Sequence, residues 1–384
     1  MNKTWRGSKW YAGFLLLAGV VCLAGCPSPQ PPGPAATLDE LVSRHLQPLI
    51  DQRHIVGAAA GVLRGEQINH FAFGQVRWDS GVKPDADTLF EIGSITKTFT
   101  GVLMGLAEEQ GLVQDNTPAQ DLLPEGVTLP TFNGEPILLW HLATHSSGLP
   151  GLPDNHRPAD ADNPYADYTI EKLYAFVSSY TLPRAPGAQY EYSNLAAGLL
   201  GHELSLRMGK SYEELVTQEI CGPLGMPDTV ITLSSDQQAR LAQGYRQFYG
   251  ICQLRWPCPI SNWDMPALPG AGALRSSVTD LLKYMAAHWA PSDTPLGKAL
   301  QNAQRERFAA DEQMKVGLLW HIIVPDDGSP RFLAHNGETG GYRSFVGFYP
   351  EQQVGLVILT NTAYDFESEA SAILSGILEL PPGA

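Results

Sequence analysis

The stretch FEIGSITKTFTG, residues 90–101, places a serine hydroxyl and a lysine amine three positions apart, at Ser94 and Lys97. Side chains with this spacing share one face of a helix. A lysine buried among apolar groups has a lowered pKa and can accept a proton near neutral pH, so this pair could act as nucleophile and base. The alternative is a helix-capping serine beside a solvent-facing lysine, and this stretch alone favours neither.

The same spacing also occurs at Ser80 and Lys83, where Gly81 and Pro84 disfavour a helix, so we interpret that match as a surface turn. At Ser94 the context differs, because Gly93 permits a sharp turn just before it. Beyond Lys97 the apolar residues continue a helical pattern. A serine in the first helical turn would also direct its own N–H toward a developing oxyanion.

A second candidate stretch is Tyr192-Ser193-Asn194, which immediately precedes an apolar helix. A tyrosine near a lysine ammonium can be held partly as phenolate or can pass a proton to a leaving group. The Asn194 amide can bind both Lys97 and a substrate carbonyl. Taken separately, Tyr192 could equally be a core tyrosine and Asn194 a helix cap.

A third candidate stretch is His335-Asn336-Gly337, which the pattern places at the end of a strand, before two more glycines at 340 and 341. Glycines let a substrate lie close to the backbone. An edge strand here could pair with an acyl-amide substrate and lend an N–H to an oxyanion hole. The alternative is a glycine-rich hairpin with an incidental histidine.

Other chemistries find less support in the sequence. His202-Glu203 lacks the second histidine of a metalloprotease helix, and neither a G-x-S-x-G elbow nor a P-loop occurs. The formal net charge of -15 disfavours nucleic acid and anionic lipid as electrostatic partners.

The elements that must position these residues come from both ends of the chain. Helical spacing covers residues 37–53, a hairpin turns at 65–67, strand-like runs occupy 332–362 with a turn at 350–353, and a helix closes the chain at 367–380. We therefore expect an α+β fold, with one antiparallel sheet flanked by the terminal helices and an inserted helical lobe. The sheet lobe would comprise residues 37–90 and 265–384, the helical lobe residues 91–264, with the site in the cleft between them.

The N-terminus has the features of an export signal. A basic stretch precedes an uncharged apolar segment, and Leu23-Ala24-Gly25-Cys26 resembles a bacterial lipobox. We expect residues 1–25 to be a lipoprotein signal peptide, Cys26 to carry the lipid, and the proline-rich residues 26–36 to be a tether. An ordinary secretory signal is the alternative.

An exported location permits disulfides, and Cys252 and Cys258 could close a short loop, although spacing alone leaves their pairing open. Cys221 would then be unpaired and buried.

The three stretches together resemble the signature of the serine β-lactamase and penicillin-binding-protein superfamily: S-x-x-K, then Y-x-N, then K/H-x-G. The tyrosine resembles the branch of class C β-lactamases, DD-peptidases and related esterases, and the similarity runs from about residue 38 to about residue 380. The resemblance implies that Ser94 forms an acyl-enzyme, with Lys97 and Tyr192 as the coupled base and proton relay. Asn194 would orient the substrate and Lys97.

The resemblance also implies an oxyanion hole made by the amides of Ser94 and Glu338, and it implies neither a metal nor another cofactor. His335 takes the position of a cationic residue that recognises a substrate carboxylate or tunes Tyr192. Class C enzymes usually have Lys-Thr-Gly where this chain has His335-Asn336-Gly337. The permanent charge of the lysine is therefore replaced by a histidine that titrates near neutrality, and the threonine hydroxyl is lost.

We therefore predict a serine hydrolase acting on a β-lactam, a D-Ala-D-Ala peptide or a small ester. It would be lipid-anchored in the bacterial cell envelope, at the periplasmic or extracellular face. A penicillin-binding sensor lipoprotein without turnover is the alternative. The substrate and the oligomeric state stay open.

Overall fold

The computed structural model describes residues 37–247, 257–290 and 292–381. In chain order the strands are β1 (Gly57–Arg64), β2 (Gln67–Gly74), β3 (Phe90–Glu91), β4 (Tyr245–Arg246), β5 (Cys258–Pro259), β6 (Arg275–Ser276), β7 (Phe308–Ala309), β8 (Met314–Val316), β9 (His321–Ile323), β10 (Phe332–Glu338), β11 (Arg343–Tyr349) and β12 (Val354–Thr360).

The helices are α1 (Leu38–Asp51), α2 (Thr96–Glu109), α3 (Leu139–Ala143), α4 (Ile170–Ser179), α5 (Asn194–Met208), α6 (Tyr212–Leu215), α7 (Gly222–Leu224), α8 (Ser235–Arg240), α9 (Pro269–Gly272), α10 (Val278–Ala287), α11 (Pro295–Ala303) and α12 (Glu367–Glu379). Two 3₁₀ turns, Gly93–Ile95 and Ala119–Leu122, and one π turn, Val216–Cys221, complete the helical segments of the described residues.

An eight-stranded sheet in the order β2-β1-β12-β11-β10-β9-β8-β7 runs through the molecule, and each neighbouring pair is antiparallel. Strand β1 is buried along almost its whole length because it lies between β2 and β12, whereas the edge strand β2 is only partly buried. The β1–β2 hairpin turns at Gly65, whose φ of 60° suits glycine. Strands from both ends of the chain therefore form one sheet.

The two faces of the sheet pack against different helices. Helices α1 and α12 cover one face, where Leu46 and Ile373 meet Phe345 and Ile358. The other face packs on a larger core that contains α10 and the buried helix α2. The predicted α+β architecture, an antiparallel sheet flanked by the terminal helices, is confirmed. The lobe boundaries at residues 90 and 264 stay our proposal.

The structure contains short strands that the sequence did not predict. Strands β7, β8 and β9 extend the sheet beyond β10, and each has only two or three residues. Such short runs are too brief to show an alternating pattern.

The cysteines separate into two groups. Cys221 is free and buried, as predicted. Cys258 is disulfide-bonded. Cys252, the partner considered from the sequence, lies outside the described residues, as does Cys26.

Within the described ranges, none of the helices has both the length and the apolar character needed to cross a membrane.

Candidate active site

Ser94 lies in the 3₁₀ turn Gly93–Ile95, which leads directly into α2. Gly93 has φ of 48°, a left-handed conformation that favours glycine, and this lets β3 turn sharply into the helix. Lys97 follows in the first turn of α2 and is fully buried. The Lys97 Nζ and Ser94 Oγ atoms are 2.8 Å apart and hydrogen-bonded, so the two residues meet as their spacing predicts.

Two further acceptors fix the Lys97 amine. Its Nζ donates to Asn194 Oδ1 at 2.7 Å and to the carbonyl oxygen of Ala271 at 2.6 Å. Burial lowers the pKa of Lys97 well below its ordinary value. A neutral amine has two N–H groups, which these two acceptors occupy, so its lone pair is left to face the Ser94 hydroxyl. The arrangement suits a base for Ser94.

The second S-x-x-K match shows no such arrangement. Ser80 donates through its hydroxyl to the carbonyl of Arg77 at 2.7 Å, within an exposed turn, and Lys83 is also exposed. The interpretation of this match as a surface turn is confirmed.

Tyr192 lies just before α5, in an extended segment that reaches Ser94. The Lys97 Nζ atom lies 5.0 Å from the centre of the Tyr192 ring. Burial raises the pKa of Tyr192, and the nearby Ser94 hydroxyl offsets only part of this effect. Tyr192 is therefore a phenol at neutral pH, which suits donation of a proton more than the partial phenolate considered from the sequence.

His145 holds the Tyr192 segment in place. Its Nδ1 atom accepts from Ser193 N at 3.1 Å, and its carbonyl accepts from Glu191 N at 2.7 Å. Its ring also lies 4.5 Å from that of Tyr192. Ser193 in turn caps α5 by accepting from Ala196 N at 2.9 Å, which sets the position of Asn194 at the helix start.

Strand β10 passes very close to the turn that carries Ser94. A Cβ atom added at Gly93 would lie 2.6 Å from Glu338 N, and one added at Gly337 would lie 2.0 Å from Ile92 O. The Ser344 hydroxyl on β11 donates to the same Ile92 carbonyl at 2.8 Å. These contacts bring the Glu338 amide beside the turn that carries the Ser94 amide, as an oxyanion hole requires.

His335 differs from the expectation that it titrates near neutrality. It is fully buried, its Nδ1 donates to Asn336 O at 2.6 Å, and its ring stacks on His321 at 4.9 Å. Burial, together with the charges of His321 and Lys97, lowers the pKa of His335 well below its ordinary value. His335 is therefore neutral at pH 7, and its ring lies 6.3 Å from that of Tyr192.

Asn336 and Glu338 direct their side chains away from His335, because neighbouring residues of a strand alternate between its faces. The Asn336 amide donates to Glu367 at the start of α12, and Glu338 forms an ion pair with Arg343 on β11. Of the predicted binding residues, Asn194 and the Glu338 amide lie beside Ser94, whereas the Asn336 side chain faces α12.

Several groups at the site carry no signal in the sequence. Ala271 contributes only a carbonyl oxygen, which no side-chain pattern reveals. His321 lies on the short strand β9, where its Nε2 atom is 3.1 Å from the Tyr190 hydroxyl. Tyr165 accepts through its hydroxyl from the Asn194 amide at 3.4 Å. Each becomes visible only once the fold brings separate segments together.

A family model and the sequences of related proteins match this chain over most of its length. Residues 42–377 match the family model described as Beta-lactamase. The chain is 29% identical to the D-alanyl-D-alanine-carboxypeptidase/endopeptidase AmpH of Escherichia coli (strain K12), over 95% of this chain and 96% of that protein. It is 28% identical to a beta-lactamase of Pseudomonas fluorescens, over 89% of this chain and 99% of that protein.

Solved structures show the same fold. A beta-lactamase/D-alanine carboxypeptidase from Yersinia pestis, complexed with citrate, superposes with a TM-score of 0.75 at 25% identity, covering 89% of this chain and 98% of that one. A class C beta-lactamase shares the fold with a TM-score of 0.77 at 22% identity, covering 90% of this chain and 97% of that one.

Proposed function

The chain belongs to the beta-lactamase family, and on that basis we propose that it is a serine hydrolase of the class C β-lactamase and D-Ala-D-Ala carboxypeptidase type. The observation that carries the proposal is the buried Lys97 amine, hydrogen-bonded to both Ser94 and Asn194. Ser94 is the nucleophile, Lys97 its base and Tyr192 the proton donor. The substrate is a β-lactam, a D-Ala-D-Ala peptide or a small ester.

Acylation begins when neutral Lys97 takes the Ser94 proton and Ser94 Oγ bonds to the substrate carbonyl carbon. The N–H groups of Ser94 and Glu338 stabilise the resulting oxyanion. When the tetrahedral intermediate collapses, the bond to the leaving group breaks and Tyr192 donates its proton to the departing atom. The Lys97 ammonium returns a proton to Tyr192. Water then attacks the acyl carbon, the bond from that carbon to Ser94 Oγ breaks, one water proton returns to the Ser94 hydroxyl, and the acid is released.

Labelling with a fluorescent penicillin or a fluorophosphonate tests the nucleophile. We expect the wild-type protein to be labelled and the Ser94→Ala variant to be unlabelled, with Ser80→Ala as the matched control that keeps its label. Labelling that persists in Ser94→Ala would exclude Ser94 as the nucleophile.

A turnover panel of nitrocefin, diacetyl-lysyl-D-Ala-D-Ala and a p-nitrophenyl ester then identifies the substrate class. Labelling without release of any product would instead indicate a penicillin-binding sensor.

We propose a location in the bacterial cell envelope, with Cys26 lipid-modified after removal of residues 1–25. The proposal rests on the lipobox-like stretch that ends at Cys26 and on the proline-rich residues that follow it. Because the described body begins at residue 37, residues 26–36 would separate it from the membrane.

A further inference from the structure

Arg343 lies on the pair of strands, β10 and β11, that places the proposed oxyanion hole. It lies opposite Glu338 in the β10–β11 pair. Its chain neighbour Ser344 donates to the Ile92 carbonyl, two residues before Ser94. The charge of Arg343 also contributes to lowering the pKa of the Tyr192 phenol. The charged groups around Arg343 therefore belong to residues that lie next to the proposed oxyanion hole.

The Arg343 guanidinium is already surrounded by carboxylates. Its side chain is only 10% exposed, and it forms ion pairs with Glu338, with Glu367 at 2.6 Å and with Asp365 at 3.5 Å. The Glu338 and Asp365 side chains are 52% and 69% exposed, so these two carboxylates also face the solvent. We name Glu338, Arg343, Asp365 and Glu367 the Arg343 cluster; its carboxylates outnumber its single cation.

The other basic groups of the site are not available to an anionic substrate either. Lys97 is fully buried and its amine is bound to Ser94, Asn194 and Ala271. The three imidazoles around Tyr192, those of His145, His321 and His335, are buried, and burial lowers the pKa of each below its ordinary value, to about 4 for His321. They are neutral at pH 7.

A carboxylate beside the scissile bond would therefore find no free cation among these groups, and it would approach the exposed Glu338 and Asp365. Like charges that meet at a binding site reduce affinity and association rate. An uncharged or cationic group at the same place would suffer no such repulsion.

We propose that the Arg343 cluster selects substrates whose leaving group is uncharged or cationic, and selects against a leaving group with a free carboxylate. The preferred substrates are esters of neutral alcohols and peptides in which the residue after the scissile bond is itself amide-linked. The inference rests on the proposed acyl-enzyme at Ser94, and it makes a C-terminal carboxypeptidase reaction the poorer one.

Two matched substrate pairs test the selection by measuring kcat/KM. The first is diacetyl-lysyl-D-Ala-D-Ala with a free C-terminal carboxylate against the same peptide with a C-terminal amide. The second is the acetyl ester of 4-hydroxybenzoate against that of 4-hydroxybenzamide. We expect the uncharged member to react at least tenfold faster with the wild-type protein, in whichever pair is turned over.

The double variant Glu338→Gln with Asp365→Asn leaves Arg343 paired with Glu367 alone and keeps the Glu338 backbone amide. We expect the preference to fall at least fivefold, chiefly through faster reaction of the anionic member. The matched control is the double variant Glu66→Gln with Glu351→Gln, which also removes two exposed carboxylates. Both residues lie at the opposite end of the sheet, near the hydrogen bond from Gly65 N to Gln353 O. The control should keep the wild-type preference.

The inference would be overturned by equal rates within each pair or by faster reaction of the anionic member. An unchanged preference in the double variant would overturn it too. Each of these results would leave the proposed hydrolase intact. Failure to turn over either pair would overturn it as well. Fluorophosphonate labelling of Ser94, which does not depend on substrate charge, reports separately on the proposed function.

Discussion

At the scale of single residues, the proposed mechanism depends on the protonation state of Lys97. Replacing Lys97 by arginine puts a permanent cation in place of the base, because a guanidinium stays protonated at any working pH. We expect kcat/KM to fall about 10²–10⁴-fold, the usual contribution of a general base. An arginine variant within tenfold of wild type would contradict the role of Lys97.

The pH profile of the wild-type enzyme follows from the same group. Because burial lowers the pKa of Lys97 and only the neutral amine accepts a proton, activity should rise with pH as Lys97 loses its proton, and the midpoint should lie well below 10.5. The profile of kcat/KM for an ester substrate measures this midpoint. Tyr192→Phe should keep the midpoint near its wild-type value, since phenylalanine removes only the phenol.

In the proposed mechanism Tyr192 donates a proton to the leaving group, so the rate loss in Tyr192→Phe should depend on how much the leaving group needs that proton. We expect Tyr192→Phe to reduce the cleavage of a peptide amide at least tenfold more than that of a p-nitrophenyl ester, because p-nitrophenolate departs without protonation. The ratio of the two kcat/KM losses is the measurement. Equal losses on both substrates would instead indicate that Tyr192 acts in the attack by Ser94.

At the scale of elements, the site depends on how closely β10 approaches the turn before α2. A methyl group at position 337 would lie 2.0 Å from the Ile92 carbonyl oxygen, so Gly337→Ala must move β10 away from Ser94. We expect a stability loss of about 1–3 kcal/mol and at least a tenfold loss of kcat/KM. Gly222→Ala is the control, because its nearest contact would be Thr217 O at 3.2 Å. Full activity in Gly337→Ala would show that the close packing of β10 against the Ser94 turn is not needed for activity.

The long elements could be predicted from the sequence because each has many residues in one pattern. Helix α1 and the strands β10, β11 and β12 lie where apolar spacing places them, and the turns at 65–66 and 350–353 separate the strands as expected. Strands β7 to β9 were not predicted, because they are too short to show an alternating pattern of apolar and polar residues. The order and pairing of the strands came from long-range contacts that no local pattern encodes.

The same distinction applies to the site. The contact between Ser94 and Lys97 could be predicted from local spacing, because one helical turn brings them together, whereas their role was inferred only with the stretches at Tyr192 and His335. The charge of His335 could not, since its neutrality follows from burial beside His321, which lies on a different strand. The Ala271 carbonyl and the Arg343 cluster likewise arise from segments far apart in the chain.

At the scale of the whole molecule, Glu203 makes stability depend on pH. It is fully buried on α5, and both carboxylate oxygens lack a hydrogen-bond partner among the described residues. Burial raises the pKa of Glu203 well above its ordinary value, so the folded state holds a proton that the unfolded chain loses above pH ~4.5. The contribution of Glu203 to stability therefore declines as pH rises, until the folded-state pKa is reached.

Glu203→Gln, which cannot ionise, should remove this decline. We expect the free energy of unfolding of the variant to exceed that of wild type by an amount that grows with pH, by up to about 1.4 kcal/mol per pH unit. Urea denaturation of both proteins between pH 5 and 8 measures the difference, and the titration of the buried histidines cancels because both proteins share it. A difference that stays constant with pH would show that Glu203 is ionised in the fold.

The lipobox-like stretch before Cys26 predicts that a lipid attaches the molecule to a membrane. If the lipobox-like stretch is processed, the mature chain begins at Cys26 and carries acyl groups, and the body is recovered with the membrane fraction. Mass spectrometry of the mature N-terminus should find this modified cysteine. Cys26→Ser should release the protein in soluble form, whereas Cys22→Ser, which changes a neighbouring cysteine within the signal, should leave it anchored. A mature chain that begins at an unmodified residue would indicate ordinary secretion. The formal net charge of -15 offers no electrostatic attraction to anionic lipid that could replace the anchor.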